Sequence, residues 1–248
     1  MDSMKQRVAL FISCRNLKNL DVASKSDPQV EVYVKDRSNP NWLLIGRTEV
    51  ANNNLNPDFS TPIESEYYFE REQNLRIMVY DIDSTTTKEF IGKAETTMGR
   101  IIGSPKQTFV TDLLTEKTTK TRGKLVIRLD NVNSSNDEVR IKLNAKLVPQ
   151  SNLCCAAPNN PFYVLSRARG QESKEEFVRV FKSPNLVNNT APMFNPCKLK
   201  LAMLCNGDKD LPIKFSFYSM EENGNDKFYG EVITTVTKIV NGEKTLEL

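Results

Sequence analysis

The chain is 248 residues long and 39% hydrophobic, enough for one large or two ordinary domains with real cores. Its formal charge of only +3 lacks the basic excess of a dedicated nucleic-acid binder, so no nucleic-acid partner is expected. It contains no histidine, which removes Ser-His-Asp, Cys-His and zinc-histidine chemistry, and its five cysteines lack the spacing of a disulfide framework or thiolate metal site and point to a reducing cytosol.

In chain order, the first apolar run, 8–14, is too short for a signal peptide or a membrane span. It opens a series of alternating segments at 8–14, 30–35, 42–49, 66–69, 75–80, 90–96, 108–113 and 123–129, which predicts eight strands. Breakers such as Asn39-Pro40-Asn41, Asn52-Asn53-Asn54 and Gly103-Ser104-Pro105 separate them, and only 97–102 suggests a helical turn. An antiparallel β-sandwich accounts for this pattern. Residues 131–137 are polar and make a linker, which divides the chain into domains at 1–131 and 138–248.

The second half repeats the first. Asp27-Pro28 returns as Asn160-Pro161, Asn56-Pro57-Asp58-Phe59 as Ala191-Pro192-Met193-Phe194, and Phe90-Ile91-Gly92 as Phe228-Tyr229-Gly230, at offsets of 133, 135 and 138 residues. From Gly92 the first copy runs 37 residues to Leu129, whereas 18 follow Gly230. The fold expected is therefore all-β, two tandem antiparallel eight-stranded sandwiches, the second lacking its last strand unless 245–248 closes a shortened sheet. A truncated or partial chain is the expectation that follows.

Two loop stretches stand out chemically. Asp21 and Asp27 lie in Leu20-Asp21-Val22-Ala23-Ser24-Lys25-Ser26-Asp27 before the second strand, and Asp81, Asp83 and Glu89 lie in Asp81-Ile82-Asp83-Ser84-Thr85-Thr86-Thr87-Lys88-Glu89 after the fifth. Five carboxylates forced together repel one another, and a folded protein tolerates that where a cation or proton offsets the cost. Calcium, a hard ion taking roughly 6–8 oxygen ligands, is the candidate. With no glycine-rich phosphate loop and no Gly-x-Ser-x-Gly elbow, binding is expected rather than catalysis, and the chain is not read as an enzyme.

Ser26-Asp27-Pro28, Arg47-Thr48-Glu49-Val50, Asn54-Leu55-Asn56-Pro57, Leu75-Arg76-Ile77-Met78-Val79-Tyr80-Asp81-Ile82-Asp83 and Phe90-Ile91-Gly92 together resemble a calcium-binding C2 domain. Two such domains in tandem, with Arg-Thr-Glu-Val followed by Asn-Leu-Asn-Pro in the first, resemble the copines in particular. Copines continue into a von Willebrand factor A-like domain, whose Asp-x-Ser-x-Ser motif and length are not found here, which fits truncation. The resemblance maps the calcium ligands onto Asp21, Asp27, Asp81, Asp83 and Glu89, with the carbonyls of Leu20 and Ile82 and the region of Thr86 as further donors. Glu89 replaces the aspartate many C2 domains have there, which is expected to weaken the outermost ion.

The mechanism this implies is an electrostatic switch: calcium offsets the loop charge and leaves coordination positions for lipid oxygens. At the loop tips Val22, Lys25 and Lys88 are the expected lipid contacts, with shallow insertion. The second copy has Cys154, Asn160, Ser219, Glu221 and Lys227 at the corresponding positions, one clear carboxylate instead of five, so it is read as calcium-independent. Cys154-Cys155 offers either a palmitoylation site or inert thiols. Lys35, Arg37, Arg47, Arg167 and Arg169 are candidates for phosphoinositide contact or solvated surface charge. The leading expectation is a cytoplasmic protein that moves to anionic phospholipid membrane, at the cytoplasmic face of the plasma membrane or elsewhere, when calcium rises. The rivals are a calcium-modulated adaptor for protein partners without significant lipid binding, and a lipid-cleaving enzyme whose machinery would have to lie elsewhere.

Overall fold

Apolar residues recur at every second position in Val8, Leu10, Ile12 and Cys14, in Leu75, Ile77 and Val79, and in Leu125, Ile127 and Leu129, and all of them are buried. Because strand side chains alternate between faces, each run turns one face to a common core. The computed structural model describes residues 4–83, 87–116, 120–133, 135–146, 159–170 and 176–242. It divides into two compact units, Met1–Val132 and Asn133–Leu248.

The first unit contains β1 (Lys5–Arg15), β2 (Pro28–Lys35), β3 (Leu43–Arg47), β4 (Ile63–Tyr68), β5 (Asn74–Ile82), β6 (Lys88–Thr97), α1 (Met98–Ile102), β7 (Thr108–Asp112) and β8 (Lys124–Asn131). They form two four-stranded antiparallel sheets, ordered β4-β1-β8-β7 and β3-β2-β5-β6. Both contribute to one hydrophobic core. The eight strands expected from the sequence are all present, with ends displaced by no more than three residues. The helical turn is present too, started by Thr97, whose side chain accepts a hydrogen bond from the Arg100 N–H.

Phe90-Ile91-Gly92 is the signature of a β-bulge. Val79 pairs with Gly92 and Tyr80 with Phe90, so Ile91 is an extra residue on β6, and it is fully buried. A Cβ on Gly92 would lie 3.1 Å from Leu113 Cβ and 3.2 Å from Arg122 Cβ, so only glycine admits those neighbours without displacement.

The second unit contains β9 (Glu138–Ile141), β10 (Pro161–Ala168), β11 (Phe177–Lys182), β12 (Cys197–Lys200), α2 (Leu201–Cys205), β13 (Ile213–Ser219), β14 (Lys227–Thr234) and α3 (Val236–Val240). Its sheets are β11-β10-β13-β14 and β12-β9, the counterparts of β3-β2-β5-β6 and β4-β1. The same bulge recurs, with Phe217 opposite Gly230 and Tyr218 opposite Phe228. Among the described residues this unit has six strands, and residues 243–248, on which a closing strand was considered, lie outside them. Helix α2 was not expected: a short apolar run cannot be told from a strand by periodicity. Here Leu, Ala and Met favour helix, and Asn206 ends it in the left-handed region at φ 52°.

Antiparallel pairing brings the loops that follow β1, β3 and β5 in the first unit together. Pro28 lies opposite Asp81, and Ser13 bridges to Asp58. Ile77→Ala removes most of a fully buried side chain from the core and is expected to destabilise the first unit by about 3 kcal/mol. A urea titration should show this as a lower midpoint at unchanged slope.

Candidate metal centre

The first loop, residues 16–27, is folded around the Asn19 side chain. Its Nδ2 donates to the carbonyls of Asp21 (3.0 Å) and Ser24 (2.8 Å), while its Oδ1 accepts from the Ser26 N–H (2.8 Å) and Ser26 Oγ (3.1 Å). Ser26 is wholly buried, and its Oγ accepts from the Leu20 N–H at 2.9 Å. The second loop, 48–62, is clipped on by Asn53, a left-handed residue with φ 50°. Asn53 Oδ1 accepts from the Lys25 N–H at 3.0 Å, and its own N–H donates to Asp27 Oδ1 at 2.6 Å. The third loop is joined by Asp27, whose N–H donates to Asp81 Oδ1 at 2.6 Å and whose carbonyl accepts from the Ile82 N–H at 3.1 Å.

Within this frame one carboxylate oxygen from each of Asp21, Asp81 and Asp83 lies within 4.8 Å of the others. Asp81 is 1% exposed, and its Oδ2 has no hydrogen-bond partner. Leaving a buried carboxylate oxygen without a donor costs its desolvation, and the carboxylates of Asp21 and Asp83 lie beside it. Asp21 Oδ2 accepts from Ser24 Oγ at 3.0 Å, and Asp83 is exposed. Burial pushes the Asp27 carboxyl above its ordinary value, the Asn53 N–H opposes this, and the charges of Asp81, Asp21 and Asp83 add to the rise. Glu89 sits opposite Asp81 in the β5–β6 ladder and is exposed, outside the group of three. An all-oxygen, multiply charged donor set with one orphaned buried oxygen fits a hard cation such as calcium.

The neighbouring residues are placed as follows. Val22 is fully exposed. Lys25 is part-buried, with its backbone tied to Asn53. Lys88 Nζ lies 3.2 Å from Glu31 Oε1 and 3.9 Å from the Tyr80 ring centroid. Leu20 and Ile82 flank the acids through the N–H bonds already given, while Thr86 lies outside the described residues. Much of the sequence pattern that carried the resemblance shapes the second loop. Thr48 Oγ1 accepts from the Val30 N–H, Glu49 accepts from the N–H groups of Ser60 and Thr61, and Asn54 and Asn56 accept from the N–H groups of Asn56 and Asn16. Sequence reasoning took Asn52-Asn53-Asn54 as a breaker and passed over Asn19. Their one signal was asparagine's capacity for left-handed φ and local side-chain bonds.

Among the described residues, the second unit keeps the bonds made around Asp27, with Asn160 and Ser219 in place of Asp27 and Asp81. Asn160 N–H donates to Ser219 Oγ at 3.0 Å, as Asp27 does to Asp81. Asn160 Oδ1 accepts from the N–H of Asn188, which has φ 50°, as Asp27 Oδ1 does from Asn53. The Met220 N–H donates to the Asn160 carbonyl at 2.9 Å, matching Ile82 and Asp27. Lys227 stands opposite Ser219, where Glu89 stands opposite Asp81, and Glu221 is part-buried, with its N–H on Asp226. Cys154 and Cys155 lie outside the described residues. Arg167, expected at the surface, is 1% exposed and so cannot meet a headgroup, while Arg169 lies 3.6 Å from Glu176.

Residues 8–113 match the C2 domain family. Over 234 residues, 94% of this chain, the sequence is 33% identical to Copine-A of Dictyostelium discoideum, covering 38% of that protein. It is 31% identical to Copine-E of the same organism over 96% of this chain and 40% of that protein. The chain thus spans about two fifths of the length of these curated relatives. Among solved structures, the calcium-bound pair of C2 domains of Extended-Synaptotagmin 2 aligns over 96% of this chain and 86% of that one, at 16% identity and a TM-score of 0.40.

Asp27 is the acid whose charge the fold resists, and Asn160 does the same structural work uncharged. A carboxyl held above its ordinary value costs stability at neutral pH, and the cost fades as pH falls through the raised value and is gone below the ordinary one. Asp27→Asn is therefore expected to raise the thermal midpoint of the calcium-free protein at pH 7, with the gain shrinking on acidification. Thermal melts across pH 3 to 8 check this sign.

Proposed function

We propose that the chain, similar to copines over nearly its whole length, is a calcium-dependent phospholipid-binding protein of copine type, recruited to anionic membranes through its first unit. The observation that carries the reading is Asp81 Oδ2, a buried and unpartnered carboxylate oxygen among further acids. Calcium, when bound, supplies the missing positive charge and leaves coordination positions that phosphate or serine carboxylate oxygens of lipid fill. Asp21, Asp81 and Asp83 present converging oxygens, with Asp27, Glu89 and the carbonyls of Leu20 and Ile82 as the remaining donors. Without a cation these acids repel an anionic surface. Val22 enters the headgroup region, and Lys25 adds on the order of 1 kcal/mol near an anionic leaflet. Lys88 adds less, because it must exchange Glu31 for a lipid phosphate.

The second unit, with Asn160, Ser219 and Lys227 in place of three acids, takes no part in calcium binding and serves as constitutive packing or binding surface. The whole is a binding protein rather than an enzyme, cytoplasmic at low calcium and peripheral on the cytoplasmic face of the plasma membrane or other membranes at high calcium.

Sedimentation with phosphatidylserine vesicles tests this. The full chain should pellet with calcium, be released by chelator and by high salt, and lose pelleting with Asp81→Asn combined with Asp83→Asn, which should also abolish the calorimetric heat of calcium. Binding indifferent to chelator or to these substitutions sinks the reading. Calcium heat without vesicle binding replaces it with the protein-adaptor alternative.

A further inference from the structure

We propose that Asn19 and Asn53 are positioning residues that set the acids of the first unit in ion-binding geometry before any ion arrives. The inference rests on the calcium reading of those acids. An asparagine amide offers two donors and one oxygen with two acceptor positions, and Asn19 uses all of them within its own loop. It draws in the carbonyls of Asp21 and Ser24 with one end and the N–H and hydroxyl of Ser26 with the other, closing residues 19–26 into a ring. Asp21 is part of that ring, so its backbone is placed by bonds that involve no carboxylate, while Ser24 Oγ holds its Oδ2 at 3.0 Å.

Asn53 does the same between loops. Its Oδ1 holds the Lys25 N–H, its N–H holds Asp27 Oδ1, and beside it the Asn54 N–H donates to the Ser26 carbonyl at 3.2 Å. Mutual repulsion of the acids tends to spread these loops, and the clips oppose it. The second unit supplies an internal comparison for the backbone bond: the Asn188 N–H holds an uncharged Asn160, so that bond forms with no carboxylate to accept it. A bond that forms without charge is one that folding itself assembles, and the side-chain bonds of Asn19 and Asn53, neutral at both ends, are of that kind. Its ordering cost is then met before binding, which raises affinity for the ion. Partners that orient ligands are typically worth about 10- to 100-fold in metal affinity.

The test compares the full chain with Asn19→Ala and with Asn53→Gly, which keeps the left-handed backbone and the N–H on Asp27 while removing only the side-chain clip. Calcium titration calorimetry should show an affinity about tenfold weaker for each, with the same number of ions at saturation. In the calcium-free protein, hydrogen exchange at the Ser26 amide should be slow in the parent and fast in Asn19→Ala. At the Lys25 amide it should be slow in the parent and fast in Asn53→Gly. Affinities within about twofold of the parent, or Lys25 and Ser26 amides already fast in the calcium-free parent, overturn the proposal while leaving the calcium reading standing. A loss of heat matched by a fall in folded fraction also overturns it, since the role is then structural only. A parent chain with no calcium heat removes the calcium reading and this inference together. If Asn19→Ala fails to fold, Asn53→Gly carries the comparison.

Discussion

The hydrogen bond from the Asp27 N–H to Asp81 Oδ1 joins the start of β2 to the end of β5 at 2.6 Å, and the chemistry of the first unit depends on it. It is made at the point where the β2–β5 register sets Pro28 opposite Asp81, so two four-stranded sheets stand behind the approach of the two loops. A one-residue slip of that register would turn every side chain of β2 to the opposite face and destroy the core, which is why the sheet can impose the juxtaposition. What it imposes is costly. Two unit charges ~5 Å apart at an effective dielectric of about 20 repel by roughly 3 kcal/mol, before the screening that exposed Asp83 receives from water. The fold accepts this in the very place where Asp81 Oδ2 has no donor.

The second unit shows which part of this arrangement is architecture and which is chemistry. Asn160, Ser219 and Asn188 reproduce the bond of the Asp27 N–H to Asp81 and that of the Asn53 N–H to Asp27, down to the positive φ of the asparagine. What differs is formal charge: an amide and a hydroxyl stand where two carboxylates stood, and Lys227 lies across the ladder where Glu89 did. Among the described residues these bonds persist, while Asn160 and Ser219 carry no negative charge. Duplication has thus left one fold with two electrostatic outcomes.

A second charged network lies on β2, β3 and β6. Glu31, 4% exposed, accepts from Tyr33 Oη at 2.7 Å and from Lys88 Nζ at 3.2 Å, with Arg47 at 3.6 Å. Burial pushes its carboxyl up, but the hydrogen bonds of Tyr33 and Lys88 and the charges of Lys88 and Arg47 outweigh it, and the net is a value below the ordinary one. Such a group contributes stability above its ordinary value and loses it as pH falls through the lowered one. Lys88 precedes Glu89, so the same short segment serves this network and the rim of the acid cluster. In the second unit the register equivalent of Glu31 is Val164, opposite Lys182 as Glu31 is opposite Arg47, and no buried acid occupies that place.

Strand placement in the first unit was legible where burial alternates along a strand, as it does at Leu75, Ile77 and Val79, because a period of two has one structural meaning. Phe90-Ile91-Gly92 was legible as a repeated motif but not as a bulge, and the five acids were legible because clustered carboxylates have few structural uses. Helix α2 was not, since Leu-Ala-Met-Leu has no period to read, and the burial of Arg167 was not, because β10 is buried on both faces and no alternation marks where a charge on it lies. By itself the sequence determined the all-β plan, the duplication and the asymmetry of charge between the copies. Only tertiary structure decided that Asp21, Asp81 and Asp83 converge while Glu89 stays at the rim, that Lys88 is bound to Glu31, and that Asn19 and Asn53 hold the loops. The reason is physical: composition and period depend on each residue's own chemistry, whereas convergence depends on pairing register between strands distant in sequence, and no local pattern records it.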